Sequence, residues 1–156
     1  MKIFVTGCAG LLGANYTRHL IQSGHQVIGI DDLSGGHKAF ITKGENFEFV
    51  KLNLERRKKV EALFEQHKPQ ALLHFAAYAA EGLSPFIRNY NYRNNLLCSA
   101  NLINPCITYK TKMIIFIELF LKPILTQITK ENLEQVEIQS NSKNMKILST
   151  ENWWSK

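Results

Sequence analysis

No uninterrupted apolar run in this chain approaches the roughly 18 residues that a membrane span requires. The N-terminus also lacks the basic segment, apolar core and small-residue cleavage site of a secretory leader. The chain therefore reads as globular and cytoplasmic, with no membrane partner. Cysteine is scarce: Cys8, Cys98 and Cys106 are odd in number and without metal-type spacing, which argues against a disulfide scaffold and a zinc site. They read as reduced, small-residue fillers. The net charge of +6 could suit a nucleic acid, but the basic residues are scattered and only Arg56-Arg57-Lys58-Lys59 is contiguous. That run falls in the first turns of a predicted helix and reads as a solvated face rather than a phosphate patch.

What is present fits a single domain: 156 residues with 45% hydrophobic content can bury a core. KIFVT (2–6) is a β-rich run, followed by a glycine loop and by LLGANYTRHLIQSG, whose apolar residues recur at helical spacing up to Gly24. QVIGI (26–30) predicts a second strand ending at Asp31-Asp32, and LSGGHKAFITKG a turn-rich loop. FEFVKL (47–52) predicts a third strand, LERRKKVEALFEQH (54–67) an amphipathic helix closed by Pro69, and ALLHFAA (71–77) a fully buried fourth strand. KMIIF (112–116) begins as a fifth. Alternating strand and helix implies a Rossmann-type α/β fold, a parallel sheet flanked by helices.

The opening loop, TGCAGLLG (6–13), carries the first chemical signal. Glycines at 7, 10 and 13 let the backbone turn tightly, approach a pyrophosphate and pack the helix close to the sheet. The free N–H groups at the helix start then face the phosphate charge. Asp31 stands 18 residues beyond Gly13, near the ~20 expected of the carboxylate that binds the adenosine ribose hydroxyls. That carboxylate would repel a 2′-phosphate, so NAD is favoured over NADP.

These residues resemble the extended short-chain dehydrogenases/reductases, and within them the NAD-dependent nucleotide-sugar epimerases and dehydratases. The resemblance rests on TGxxGxxG at 6–13, Asp31-Asp32-Leu33-Ser34, HFAA at 74–77 and the helix YNYRNNLLCSANLIN, whose Asn94-Asn95 pair matches the family's YxxNN segment. It spans about two thirds of the chain and implies the cofactor NAD and a nucleotide-sugar substrate. It further implies that Leu11 and Leu12 follow the phosphate loop and that Asp31, with Asp32 beside it, serves the adenosine ribose. Phe75, Ala76, Ala77 and Tyr78 would line the nicotinamide side of the groove, and Asn94 would support the cofactor-side helix. Where the family has an Asp-hydrophobic pair against the adenine, this chain has Asn53-Leu54; an amide can still meet the adenine amino group through its oxygen, so binding there is weakened rather than lost.

A second departure concerns catalysis. The family's reaction uses a Ser or Thr after the fifth strand and a Tyr-x-x-x-Lys pair, in which lysine lowers the tyrosine pKa so that it accepts a sugar proton. Four residues after Tyr16, Tyr78, Tyr90, Tyr92 and Tyr109 stand Leu20, Gly82, Asn94, Leu96 and Met113, and Ile117-Glu118-Leu119-Phe120 occupies the place of a Thr-Ser-Ser run. No catalytic residue is assigned. From residue 101 onward there is no Ala, Gly, Asp, His or Arg, so 1–116 reads as a truncated NAD-binding domain and 117–156 as a divergent, irregular tail. A changed reading frame or exon boundary near Phe116 accounts for the break, and a selected but divergent tail is the alternative. Within the tail, IIFIELFLKPIL (114–125) could cover a sheet edge, and 130–138 could form a short helix before the end frays, with Trp153 and Trp154 disordered or docked on the sheet. Two functions stay open: epimerase chemistry on a nucleotide-sugar, or a non-catalytic NAD-binding pseudoenzyme. The missing pair favours the second.

Three single residues read blandly. His74, in a buried strand, is a satisfied core histidine rather than a base. Glu81 is a turn carboxylate before a helix capped by Ser84 with Pro85 in its first turn. Arg88 belongs to a solvated helix face.

Overall fold

A computed structural model of the chain describes residues 1–78, 83, 86–115 and 145–147. Its elements are β1 (Lys2–Thr6), α1 (Leu11–Gln22), β2 (Gln26–Asp31), a 3-10 turn (Lys38–Phe40), β3 (Phe47–Lys51), α2 (Arg57–His67) and β4 (Ala71–His74). Then follow α3 (Arg88–Asn91), a π-helical turn (Tyr92–Leu97), α4 (Cys98–Thr108), β5 (Lys112–Ile115) and β6 (Met145–Ile147). The strands form one sheet in the order β3-β2-β1-β4-β5-β6, every pair of it parallel. The chain winds one way from β1 to β2 and β3, then crosses back to β4 on the other side of β1. Between β1 and β4 lies the switch point at which doubly wound sheets bind ligands, outside the carboxyl ends of the strands.

Alternation along the strands divides the core into two faces. Phe4, Ile28, Ile30, Leu72 and Met113 pack against Val60, Leu63 and Phe64 of α2 and Leu102 and Cys106 of α4, with the Phe4 and Phe64 rings edge to face at 5.0 Å. On the other face Ile3, Val5, Cys8 and Val27 meet Leu20 and Ile21 of α1. The fourth strand differs from the sequence expectation. It stops at His74, and Ala71 and Leu73 are half-buried, because among the described residues only α1 covers their face and it packs over β1 and β2.

Helix boundaries follow local chemistry. Helix α1 ends where Gly24 takes φ +77°, a conformation that costs glycine nothing. Helix α2 starts three residues later than its periodicity predicts, because Asn53 forms a turn with Glu55 N donating to Asn53 Oδ1 (2.8 Å) and Arg56 N to Asn53 O (3.1 Å). It ends at Lys68, φ +46°, before Pro69, which cannot continue a helix. Strand β6 arises from within the stretch expected to fray: Met145–Ile147 pair with Met113–Ile115. Phe116, the 117–125 part of the apolar segment, the 130–138 helix, Glu81, the Ser84 cap, Pro85 and both tryptophans lie outside the described residues.

Candidate functional site

The strand registers align Thr6 with Ile30 and with His74, so the loops after β1, β2 and β4 leave the sheet side by side. Gly7 turns the chain at φ +69° while its N–H donates to Ile30 O (2.8 Å). A Cβ there would lie 2.8 Å from Ala76 N and 2.9 Å from Phe75 C, so the loop passes against the β4 loop with no room for a side chain. Gly13 is required by packing: an added Cβ would stand 2.0 Å from Gly7 O. Gly10 precedes the first residue of α1, and the first intrahelical bond runs from Ala14 N to Gly10 O (3.0 Å). The N–H groups of Leu11, Leu12 and Gly13 thus point out of the helix start without intrahelical acceptors, beside the positive end of the helix dipole.

Asp31 ties the second loop to the first. Its Oδ2 accepts from Ala9 N (3.0 Å) and its Oδ1 from Leu33 N (2.8 Å), while His37 N donates to Ala9 O (2.9 Å). An ionised carboxylate has about four acceptor sites, so two remain for hydroxyls. Asp32 Oδ1 accepts from Ser34 N (2.8 Å). Gly36 is required by this closeness: a Cβ there would meet Ala9 Cβ at 2.7 Å and Asp31 Oδ1 at 3.0 Å.

The β4 loop is held by a chain of hydrogen bonds whose directions can be assigned. The single hydroxyl hydrogen of Ser99 goes to Asn95 O (2.6 Å), so His74 Nε2, 2.8 Å from Ser99 Oγ, must donate. Its Nδ1 is then bare and accepts from the Thr6 hydroxyl (2.6 Å), whose oxygen accepts from Ala76 N (3.2 Å). Burial pushes the His74 pKa down to about 4, in keeping with a neutral ring. His74 is the satisfied core histidine that its strand position predicts, and it is also a strut between β1, β4 and the helix.

The π-helical turn places three successive side chains on or beside the site, of which Asn94 lines the cleft. A π turn rotates less per residue than an α-helix, so neighbouring side chains reach adjacent targets. Arg93 pairs with Glu55 (Nε to Oε2, 2.9 Å). Asn94 reaches the cleft with its Nδ2 on Tyr90 O (3.1 Å). Asn95 brackets Tyr78, accepting from its N (2.7 Å) and donating to its O (3.1 Å).

Together these loops enclose a cleft of about 170 Å³. Of the residues expected from the sequence, Gly7, Gly10, Asp31, Asp32, Asn53, Leu54, Phe75, Ala76, Ala77, Tyr78 and Asn94 line it. Leu11 and Leu12 point to solvent, 73% and 55% exposed, and Gly13 lies beneath. Ile30, Ser34, Gly35, Gly36, Leu52, Tyr90 and Cys98 also line it, and sequence reasoning missed them. Tyr90, Asn94 and Cys98 recur every four residues, a helical stripe that was readable, and Gly35-Gly36 was read only as a turn. Asn53 lines the cleft while its amide oxygen accepts from Glu55 N, which uses one of that oxygen's two lone pairs. Cys8, Cys98 and Cys106 are free and buried, and burial is the main cause that pushes each thiol up to about 12. Arg88 is exposed, as are Arg56 to Lys59. Among the described residues no cluster of His, Cys, Asp or Glu could hold a metal, and no helix is long and apolar enough to cross a membrane.

A parallel sheet with its switch point at β1 and β4, a glycine loop opening α1 and a carboxylate ending β2 define a Rossmann-type dinucleotide-binding domain. The NAD dependent epimerase/dehydratase family is matched over residues 3–118, and the chain belongs to that NAD-dependent family. It is 33% identical over 118 residues to the bifunctional protein GAL10 of Candida maltosa, covering 72% of this chain and 77% of that one. It is 31% identical over 121 residues to the UDP-glucose 4-epimerase of Bacillus subtilis, covering 74% of this chain and 36% of the relative. The structure is similar to Thermotoga maritima UDP-glucose 4-epimerase solved with UDP-glucose, with TM-score 0.70 and 31% identity over 74% of this chain and 37% of that one. It is also similar to the Thermus thermophilus UDP-glucose 4-epimerase complex with NAD, with TM-score 0.68 and 27% identity over 73% and 36%. The chain thus spans little more than a third of the length of these epimerases.

Proposed function

We propose that this chain binds NAD along the cleft and does not itself turn over a nucleotide-sugar. The observation that carries the reading is the meeting of Gly7, the free N–H groups of Leu11, Leu12 and Gly13, and Asp31 at one switch point. The residues fit the cofactor: Gly7 lets the loop turn tightly against Ala76 and Phe75 where a side chain would not fit, and the helix start beside the cleft offers a pyrophosphate donors without a cation. Asp31 keeps two acceptor sites for the adenosine ribose, and among the described residues no Lys or Arg lines the cleft to receive a 2′-phosphate. Phe75 to Tyr78 and Asn94 would flank the nicotinamide side. The enclosed volume is below the ~300–1,000 Å³ of a pocket that swallows a drug-sized ligand, so a dinucleotide would lie along it, partly open.

When bound, NAD supplies a hydride acceptor. The residues that would let a sugar hydroxyl give up its proton are not among these 156: no tyrosine is followed by lysine at the fourth place. His74, neutral and engaged through both ring nitrogens, is unavailable as a base. The nucleotide-sugar remains the substrate class that the relatives suggest, and UDP-glucose 4-epimerisation the reaction that an external base and substrate domain would complete. Calorimetric titration tests the reading: NAD should bind more tightly than NADP, and Gly7→Val, which puts a side chain against Ala76, should abolish heat with either. NADP binding as tight as NAD, or no binding of NAD, would overturn it.

A further inference from the structure

Resting on the reading that a dinucleotide lies along the cleft, we infer that His74 is a positioning residue for its nicotinamide end: through Thr6 and Ser99 it holds the wall from Ala76 to Tyr78 in place without touching the ligand. Ala76, Ala77 and Tyr78 line the cleft beyond the end of β4 at His74. The last bond back to β1 runs from Phe75 N to Thr6 O (3.2 Å), and among the described residues no backbone-to-backbone bond holds the three residues that follow. Side chains hold them instead.

The bonds that run through His74 all point the same way. Ala76 N donates to Thr6 Oγ (3.2 Å), the Thr6 hydroxyl to His74 Nδ1 (2.6 Å), His74 Nε2 to Ser99 Oγ (2.8 Å) and the Ser99 hydroxyl to Asn95 O (2.6 Å). The Asn95 side chain then turns back on Tyr78, at its N (2.7 Å) and its O (3.1 Å). A relay that starts at Ala76 thus returns to the same wall two residues further on. Thr6 and His74 are buried, and none of Thr6, His74, Ser99 and Asn95 lines the cleft, so they act on a ligand only through the wall. On a neutral ring the donor must face Ser99, because a bare Nε2 would meet an oxygen whose one hydrogen is already given to Asn95. Bonds aligned head to tail in a buried setting polarise and strengthen one another. The two ring nitrogens supply the acceptor and the donor that join the halves of the relay, which no aliphatic side chain can do.

The experiment is calorimetric titration of the whole chain with NAD and with ADP-ribose, which lacks the nicotinamide ring. The native chain should prefer NAD, and that preference should shrink roughly threefold to tenfold in His74→Leu and in Ser99→Ala, the scale of one neutral hydrogen bond. His74→Asn, whose amide oxygen stands near the place of Nδ1 and can accept from Thr6, should keep more of the preference than His74→Leu. A thermal melt shows that each variant is folded, and Ser99→Ala, at a half-buried position, carries the test if His74→Leu does not fold. Equal native affinities for the two ligands, variants that weaken both by the same factor, or a folded His74→Leu no worse than His74→Asn would overturn the inference and leave His74 a strut alone. If neither ligand binds the native chain, the NAD reading fails and this inference with it.

Discussion

At the β1–α1 end of the cleft, the groups that face a ligand are backbone N–H groups and one carboxylate, and each is held by residues close to it in sequence or in the adjoining loop. At the β4–α3 end the cleft wall is carried by side chains, Thr6, His74, Ser99 and Asn95 among them, that come from three separate segments of the chain. The first end needs only a turn, a helix start and Asp31. The second end is assembled from longer-range pairs, and among the described residues its histidine, His74, is engaged through both ring nitrogens. On the proposed reading, holding a cofactor and using it rest on different residues with different sequence ranges.

The largest expected effect would break that separation. Supplied with NAD and UDP-glucose or UDP-galactose, the chain should show no turnover above a Gly7→Val control in a coupled assay, because a missing general base alone removes roughly 10²–10⁴-fold in rate. Clear turnover would mean that the β4–α3 end carries catalytic groups after all. Next comes the histidine strut. With its pKa lowered from 6.5 to about 4, His74 binds a proton more readily in the unfolded chain. Stability is therefore full above pH 6.5 and falls as the pH drops toward 4, by about 3 kcal/mol. Urea melts of native chain and of His74→Asn across that range should diverge in slope; parallel curves would remove the strut from the account.

At the other end, Asp31→Ala should weaken NAD by one or two charged hydrogen bonds, on the order of 1.5–3 kcal/mol each, and narrow the preference over NADP. An unchanged ratio of the two affinities would show that the carboxylate serves only Ala9 and Leu33. The smallest effect belongs to Asn95→Ala, which strips Tyr78 of two partners and should cost about 1 kcal/mol of stability in a thermal melt, with NAD affinity at the β1–α1 end little changed. A loss of affinity as large as that of Asp31→Ala would show that the two ends are not separable.

What the sequence made legible divides along the same line. The strands, α1, the phosphate loop and Asp31 were readable because period, glycine spacing and strand ends are local signals. The bracket of Asn95 on Tyr78, the Thr6–His74–Ser99 chain and the π turn that carries Arg93, Asn94 and Asn95 were not, since each depends on which distant segments the sheet order brings together. Asn53 shows the same limit on a smaller scale. Its residue type said that an amide was present, but only the turn to Glu55 said which of its two atoms was engaged. Strand β6 rests on pairing Met113 with Met145, for which three residues of a polar stretch carry no local mark.

The three buried thiols give the molecule internal clocks. A thiol pushed up to about 12 is almost wholly protonated at neutral pH, and alkylating reagents attack only the thiolate. Cys8 in the glycine loop, Cys98 at the cleft wall and Cys106 on the buried face of α4 will each react when their own surroundings open and not before. The order in which a reagent finds them reads out how firmly each region is closed, and a ligand that seats in the cleft would slow the first two while leaving Cys106 to keep time for the core.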